Sequence, residues 1–158
     1  LHIRKLKSFG WFKIDTYNEL EDDNTRTKIN CKVKWTDIHP LESNDIAPLK
    51  VVSFDIECTS SDGGFPQAER DGDKIIQIGS TFNLLGNKDC YYKNMITLNT
   101  CDDILDVDVI SCNTEQELII KWYEMILEQD PDIITGWNIF GFDENYIFQR
   151  AKENGCFC

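Results

Sequence analysis

Three carboxylates in this chain have the type and spacing to do chemistry. Asp55 and Glu57 stand two apart at the end of an apolar run, Leu49–Glu57. In a strand that spacing puts both on one face. At roughly 6.6 Å apart they repel by about 2.5 kcal/mol at an effective dielectric near 20. A divalent cation offsets such repulsion, and magnesium takes one or two carboxylates together with waters and phosphate oxygens. Two solvated acids at a strand end explain the same short D-x-E pattern. The third acid is Asp143, in the run Gly136–Asp143. An aspartate ahead of a helix is an ordinary N-cap. Yet Asp143 follows the carboxyl end of a predicted strand, Asp132–Trp137, and Asp55 and Glu57 lie at the carboxyl end of theirs. If those strands are parallel neighbours, all three acids meet at one sheet edge, where open α/β sheets bind ligands. Three converging carboxylates point to two metals and phosphoryl-transfer chemistry.

Other chemistries have little support. The two histidines, His2 and His39, precede the acidic part of the chain, so no Ser-His-Asp set or His-rich zinc site forms there. Cys58 has no histidine nearby in sequence and reads as a small core residue. There is no Walker loop and no GxGxxG. Asp102, Asp103, Asp106 and Asp108 lack the glycine and final glutamate of a calcium loop and read as a solvated turn.

Two helices and several strands must position the acids. The β-rich runs are Leu49–Glu57, Lys74–Phe82 and Cys90–Leu98, with a short fourth at Val107–Cys112. Thr114 with Glu117 forms a capping box that opens a helix to about Gln129, stopped by Pro131. Leu118, Trp122, Met125 and Ile126 recur at helical spacing as its buried face. A last helix spans Asp143–Asn154, with Gly155 as its C-cap. This order predicts an α/β domain with a mixed sheet. The first part reads instead as short β segments. Phe9–Asp15 is one candidate. Lys28–Trp35 is another, with Ile29, Cys31, Val33 and Trp35 alternating onto one face. Glu19–Asn24 is a polar loop, and His39–Pro48 reads as a linker.

The 158 residues suit one domain, or one domain and part of another. Leu1 in place of Met suggests a fragment. Net charge is −12, and it splits unevenly. Residues 1–50 hold nine Lys/Arg against eight Asp/Glu, +1; residues 51–158 hold seven against twenty, −13. Such a chain is no simple electrostatic DNA clamp, so metal ions or other domains must supply positive charge toward nucleic acid. The longest uncharged run, Ile75–Asn87, is too short to span a bilayer, and no membrane partner is expected. Seven cysteines without a CxxC read as reduced intracellular thiols; the CxC at Cys156 and Cys158 is weak as a metal motif.

Phe54-Asp55-Ile56-Glu57 resembles the first exonuclease motif of family B DNA polymerases. Asn138 through Phe142-Asp143 resembles the second, N-x3-F-D. Ile46–Cys58, then Gly64–Asp71 followed by Ile76–Ile78, resemble the delta-type replicative enzyme of eukaryotes and large DNA viruses. Pro131–Gly136 fits the lead-in to the second motif. The likeness covers about residues 28–154, and weakly Ser8–Trp11. It implies a ribonuclease H-like exonuclease fold over residues 49–158, a mixed β-sheet flanked by helices. Residues 1–48 would be the β-rich end of the polymerase N-terminal domain and a linker.

The implied activity is 3′→5′ proofreading in DNA replication, two-metal hydrolysis of the terminal phosphodiester within a DNA-directed DNA polymerase. By the same resemblance Asp55 bridges two divalent ions, Mg²⁺ or Mn²⁺. Glu57 holds the ion that activates water, and Asp143 serves the second. Asn138 and Phe142 shape the loop and the pocket for the frayed primer 3′ end, although core packing explains Phe142 equally well. Implied partners are DNA, the rest of the polymerase chain, a sliding clamp and accessory subunits, at an intracellular location in the nucleus or a viral replication site. A non-catalytic exonuclease-like scaffold and a stand-alone ribonuclease H-like nuclease are the alternatives. The third motif, Y-x3-D, is expected after Cys158, because Tyr146 is followed by Ile147, Phe148, Gln149 and Arg150. The isolated chain is therefore expected to have little or no exonuclease activity.

Overall fold

A computed structural model describes residues 2–21, 27 and 29–156. They form two compact units, Leu1–Asp45 and Ile46–Cys158.

The first unit holds two small antiparallel pairs. Strands β1 (Phe12–Ile14) and β4 (Ile38–Pro40) form one; β2 (Asn18–Glu19) and β3 (Cys31–Lys32) form the other. Arg4 braces the segment leading into β4 by donating to the carbonyls of Ile38 (2.9 Å) and Thr36 (2.8 Å) while lying 5.9 Å over the Trp35 ring. The alternation over Lys28–Trp35 does not give one long strand. Among its described residues only Cys31–Lys32 pair as a strand, Trp35–Asp37 forms a 3₁₀ turn, and Ile29 and Trp35 are exposed. Alternation specifies a strand when one face is buried, and no described residue of this unit is buried. For the same reason Phe9–Asp15 shrinks to Phe12–Ile14. The expected linker gives up His39 and Pro40 to β4. Lys28, Cys158 and residues 22–24 of the expected acidic loop lie outside the described residues.

The second unit is a five-stranded mixed sheet with two helices. Its strands are β5 (Lys50–Cys58), β6 (Ile75–Leu84), β7 (Cys90–Leu98), β8 (Asp108–Cys112) and β9 (Ile133–Thr135), in the order β8-β7-β6-β5-β9. The pairs β5/β6 and β6/β7 are antiparallel, and β7/β8 and β5/β9 are parallel. Along β5 the pattern has period two: Val52, Phe54 and Ile56 are buried, and Asp55 and Glu57 are exposed on the other face. Ile78, Phe82, Ile96 and Leu118 are fully buried with Val52. Burying each such side chain stabilises by roughly 1.5–3 kcal/mol.

Helix α1 (Glu115–Gln129) starts where Thr114 accepts from the Glu117 amide (3.1 Å). The Glu117 carboxylate reaches back to the Asn113 amide (2.8 Å), one residue before the usual capping-box donor. The helix ends at Asp130, whose left-handed φ of 48° turns the chain into Pro131. Its Trp122 ring packs 5.0 Å from Phe54. Helix α2 (Asp143–Glu153) ends at Asn154, with Gly155 left-handed beyond it. Cys31, Cys58, Cys90, Cys101 and Cys112 are free thiols. No helix among the described residues is long and apolar enough to cross a membrane.

Candidate active site

The site is built where a short strand ends beside a long one. Asp132 sets the register of β9. Its carboxylate accepts the Lys50 amide (2.8 Å), and its own amide donates to the Lys50 carbonyl (2.8 Å). Strand β9 then runs parallel to β5 for three residues and stops at Thr135, opposite Ser53. Beyond that point β5 has lost its neighbour, and a buried amide without a partner is costly. Asp143 supplies the partner: its Oδ1 accepts the buried Ile56 amide at 3.2 Å.

Gly136 makes this approach possible. A Cβ there would stand 2.6 Å from the Phe54 carbonyl and 2.3 Å from Ile139. The chain then turns through Asn138, left-handed at φ 54°, whose carbonyl accepts the Gly141 (2.8 Å) and Phe142 (3.1 Å) amides. That turn delivers Asp143 to the start of α2, whose positive dipole end favours a carboxylate. Asp143 is not the N-cap, however. Phe142 occupies that position and makes no side-chain cap.

Asp143 is 3% exposed and lies against Asp55. Burial, first, and the Asp55 carboxylate push the Asp143 carboxyl above its ordinary range; the Ile56 amide opposes them. Neither acid is in an ion pair among the described residues. Glu57 lies on the same face of β5 as Asp55, just before a shift in the β5/β6 register. The structure thus brings Asp55 and Asp143 together, with Glu57 one alternation further along. Among the described residues no three His, Cys, Asp or Glu side chains are gathered closely enough to hold a metal ion. The donor chemistry still fits a hard divalent cation, since two carboxylates meet with no protein cation between them.

Phe142 packs edge-on to Phe65 (5.2 Å) and lies 5.0 Å from Tyr146. Phe65 is 72% exposed, so beside Asp143 the site carries an open aromatic edge. Its sequence signal was an aromatic between Gly64 and Pro66 in a polar loop, and it was missed. Cys58 is half-buried against the core and not within it, and burial pushes its thiol up to about 12. Asp102, Asp103, Asp106 and Asp108 are exposed, and Asp108 accepts the Tyr92 hydroxyl (2.9 Å).

Comparison with known proteins fits this geometry. Residues 1–156 match the family model for DNA polymerase family B, exonuclease domain. The DNA polymerase of Acanthamoeba polyphaga mimivirus is 40% identical over 153 residues, covering 95% of this chain and 9% of that protein. The DNA polymerase delta catalytic subunit of Arabidopsis thaliana is 39% identical, over 92% of this chain and 14% of that protein. The family B DNA polymerase of the archaeon Pyrobaculum calidifontis shares the fold, with a TM-score of 0.63 at 23% identity over 92% of this chain and 16% of that one. The chain thus spans only a small part of the length of these relatives. The match over nearly the whole chain places it in the exonuclease-domain family of family B DNA polymerases.

Proposed function

We propose that this chain is the proofreading region of a replicative DNA polymerase, hydrolysing the 3′-terminal phosphodiester of DNA with two divalent ions. The observation that carries the reading is the contact of buried Asp143 with Asp55. A fold that seats a carboxylate against another, with its carboxyl raised by burial, stores a repulsion that a cation relieves. Asp55, Glu57 and Asp143 would hold Mg²⁺ or Mn²⁺. When bound, the ions would make hydroxide available near neutral pH and stabilise charge on the phosphate.

The chain's own residues do the rest. Asp143, held by the Ile56 amide, keeps one oxygen committed to the sheet, so its orientation is set before any ligand arrives. Asn138 closes the turn that aims it. Phe142 and Phe65 offer aromatic rings on whose faces an unpaired terminal base would stack. A clustered pair of like charges is of no use to a non-catalytic scaffold, which weighs against that alternative. The acidity of residues 51–158 implies that the positively charged path for DNA comes from other parts of a longer chain. A sliding clamp, accessory subunits and a nuclear or viral replication site belong to the same proposal, by family.

The test is manganese binding measured by calorimetry, with digestion of 3′-labelled single-stranded DNA by the full-length polypeptide. Asp55→Ala is expected to abolish both. Digestion that survives Asp55→Ala would falsify the assignment.

A further inference from the structure

The loop between β5 and β6, residues 59–74, has no helix or strand, yet it is firmly built. Asp73 is fully buried inside it and accepts from the Ser61 amide (2.7 Å), the Ser61 hydroxyl (2.6 Å) and the Gln67 amide (2.8 Å). Arg70 crosses the loop. Its Nη2 donates to the Phe65 carbonyl (2.7 Å) and lies 2.7 Å from Asp73 Oδ2, and its Nη1 pairs with Asp62. Asp62 in turn accepts the Gly64 amide (2.9 Å). The Arg70 carbonyl is held from below by Arg150 Nη1 (3.2 Å), and Arg150 is itself locked by Glu115.

Phe65 stands apart in this arrangement. At 72% exposure its ring is not fixed by packing. Two things locate it: the ring edge of Phe142, and the tether on its carbonyl. We propose that Arg70 is a positioning residue that holds Phe65 against Phe142 beside Asp143, and so sets where an unpaired base can stack. This rests on the reading above that these rings receive a DNA terminus. The planar guanidinium reaches Phe65, Asp62 and Asp73 at once, which a lysine ammonium cannot reproduce. Charge alone is therefore not enough, and Arg70→Lys is the informative variant.

The experiment pairs Arg70→Lys with Phe65→Ala and the double variant, all judged folded by thermal melting. A single-stranded oligonucleotide ending in 2-aminopurine reports stacking by fluorescence, with calcium present. Stacking one base on an aromatic ring is worth roughly 5- to 150-fold in affinity. Phe65→Ala and Arg70→Lys are each expected to lose a factor in that range, and the double variant no more than either. Asp62→Asn, at a more exposed position, is expected to lose less in the same direction. Full affinity in Arg70→Lys, or additive losses in the double variant, overturns the proposal. A DNA-free arm separates it from the functional reading. Cross-relaxation between the Phe65 and Phe142 rings is expected in the wild-type chain and absent in Arg70→Lys. If the oligonucleotide does not bind at all but that signal is lost in Arg70→Lys, the functional reading fails and the positioning role stands. If the signal survives in Arg70→Lys, the role falls whatever DNA does.

Discussion

Two buried ionic sites lie in the second unit, and they are built in opposite ways. At one, Glu115 and Arg150 are each about 96–97% buried and fully engaged. Arg150 forks onto both Glu115 oxygens (2.8 and 2.5 Å) and donates to the Ala68 carbonyl (3.0 Å). Glu115 also takes the Ile75 amide (2.8 Å) and the Asn154 side chain (2.9 Å). Asp73 beside them is held down to about 2, chiefly by the Ser61 hydroxyl. At the other, Asp143 is equally buried, but its neighbour is a second carboxylate and its carboxyl is raised. Burial alone does not mark a functional charge. What separates the two is whether the folded chain completes the charge or leaves it for something else.

The largest effect should come from breaking the completed site. Arg150→Ala leaves Glu115 buried and unpaired, a loss of about 3–5 kcal/mol in a denaturant melt. Little change there would remove the contrast altogether. Adding a cation to the incomplete site should stabilise by about 2.7 kcal/mol at a hundred times its dissociation constant. That gain should vanish in Asp143→Asn, read as a manganese-dependent melting temperature. A wild-type chain whose melting ignores manganese would leave the acid pair without a partner.

Gly136→Ala should cost about 1–3 kcal/mol by overpacking β9 against β5. It should also weaken the manganese shift, because it pushes apart the strand ends that bring the acids together. If the manganese shift is unchanged, the close approach is structural only.

The pH profiles should have opposite signs. Asp73 and Glu115 have lowered carboxyls, so their stabilisation is complete above their unfolded values of 3.8 and 4.5 and drains as pH falls, for Asp73 toward about 2. Asp143 has a raised carboxyl, so its contribution is complete below 3.8 and is lost as pH rises. Asp73→Asn should therefore flatten the acid limb of the stability curve. Asp143→Asn should raise the melting temperature near neutral pH and not below pH 3.8.

Much of this was legible in the chain. The period-two burial of β5, the extent of β7 and the Thr114 cap follow from local pattern and turn chemistry, which need only near neighbours. Asp55, Glu57 and Asp143 stood out because acids at the ends of apolar strands are costly without a reason. The first unit was less legible. Alternation over Lys28–Trp35 presumes a core for one face to enter, and no described residue there is buried.

The sequence by itself determined which residues carry charge, which strands are apolar on one face, and where helices begin and stop. Hydrogen-bonding groups a few residues apart decide those things. Tertiary structure alone decided that β9 lies parallel to β5 and stops at Thr135, leaving the Ile56 amide for Asp143 to take. It alone decided that Arg150 would complete Glu115 from 35 residues away. Partners distant in the chain pay a loop-closure entropy that no local pattern records, so only the folded state shows which buried charge has been answered.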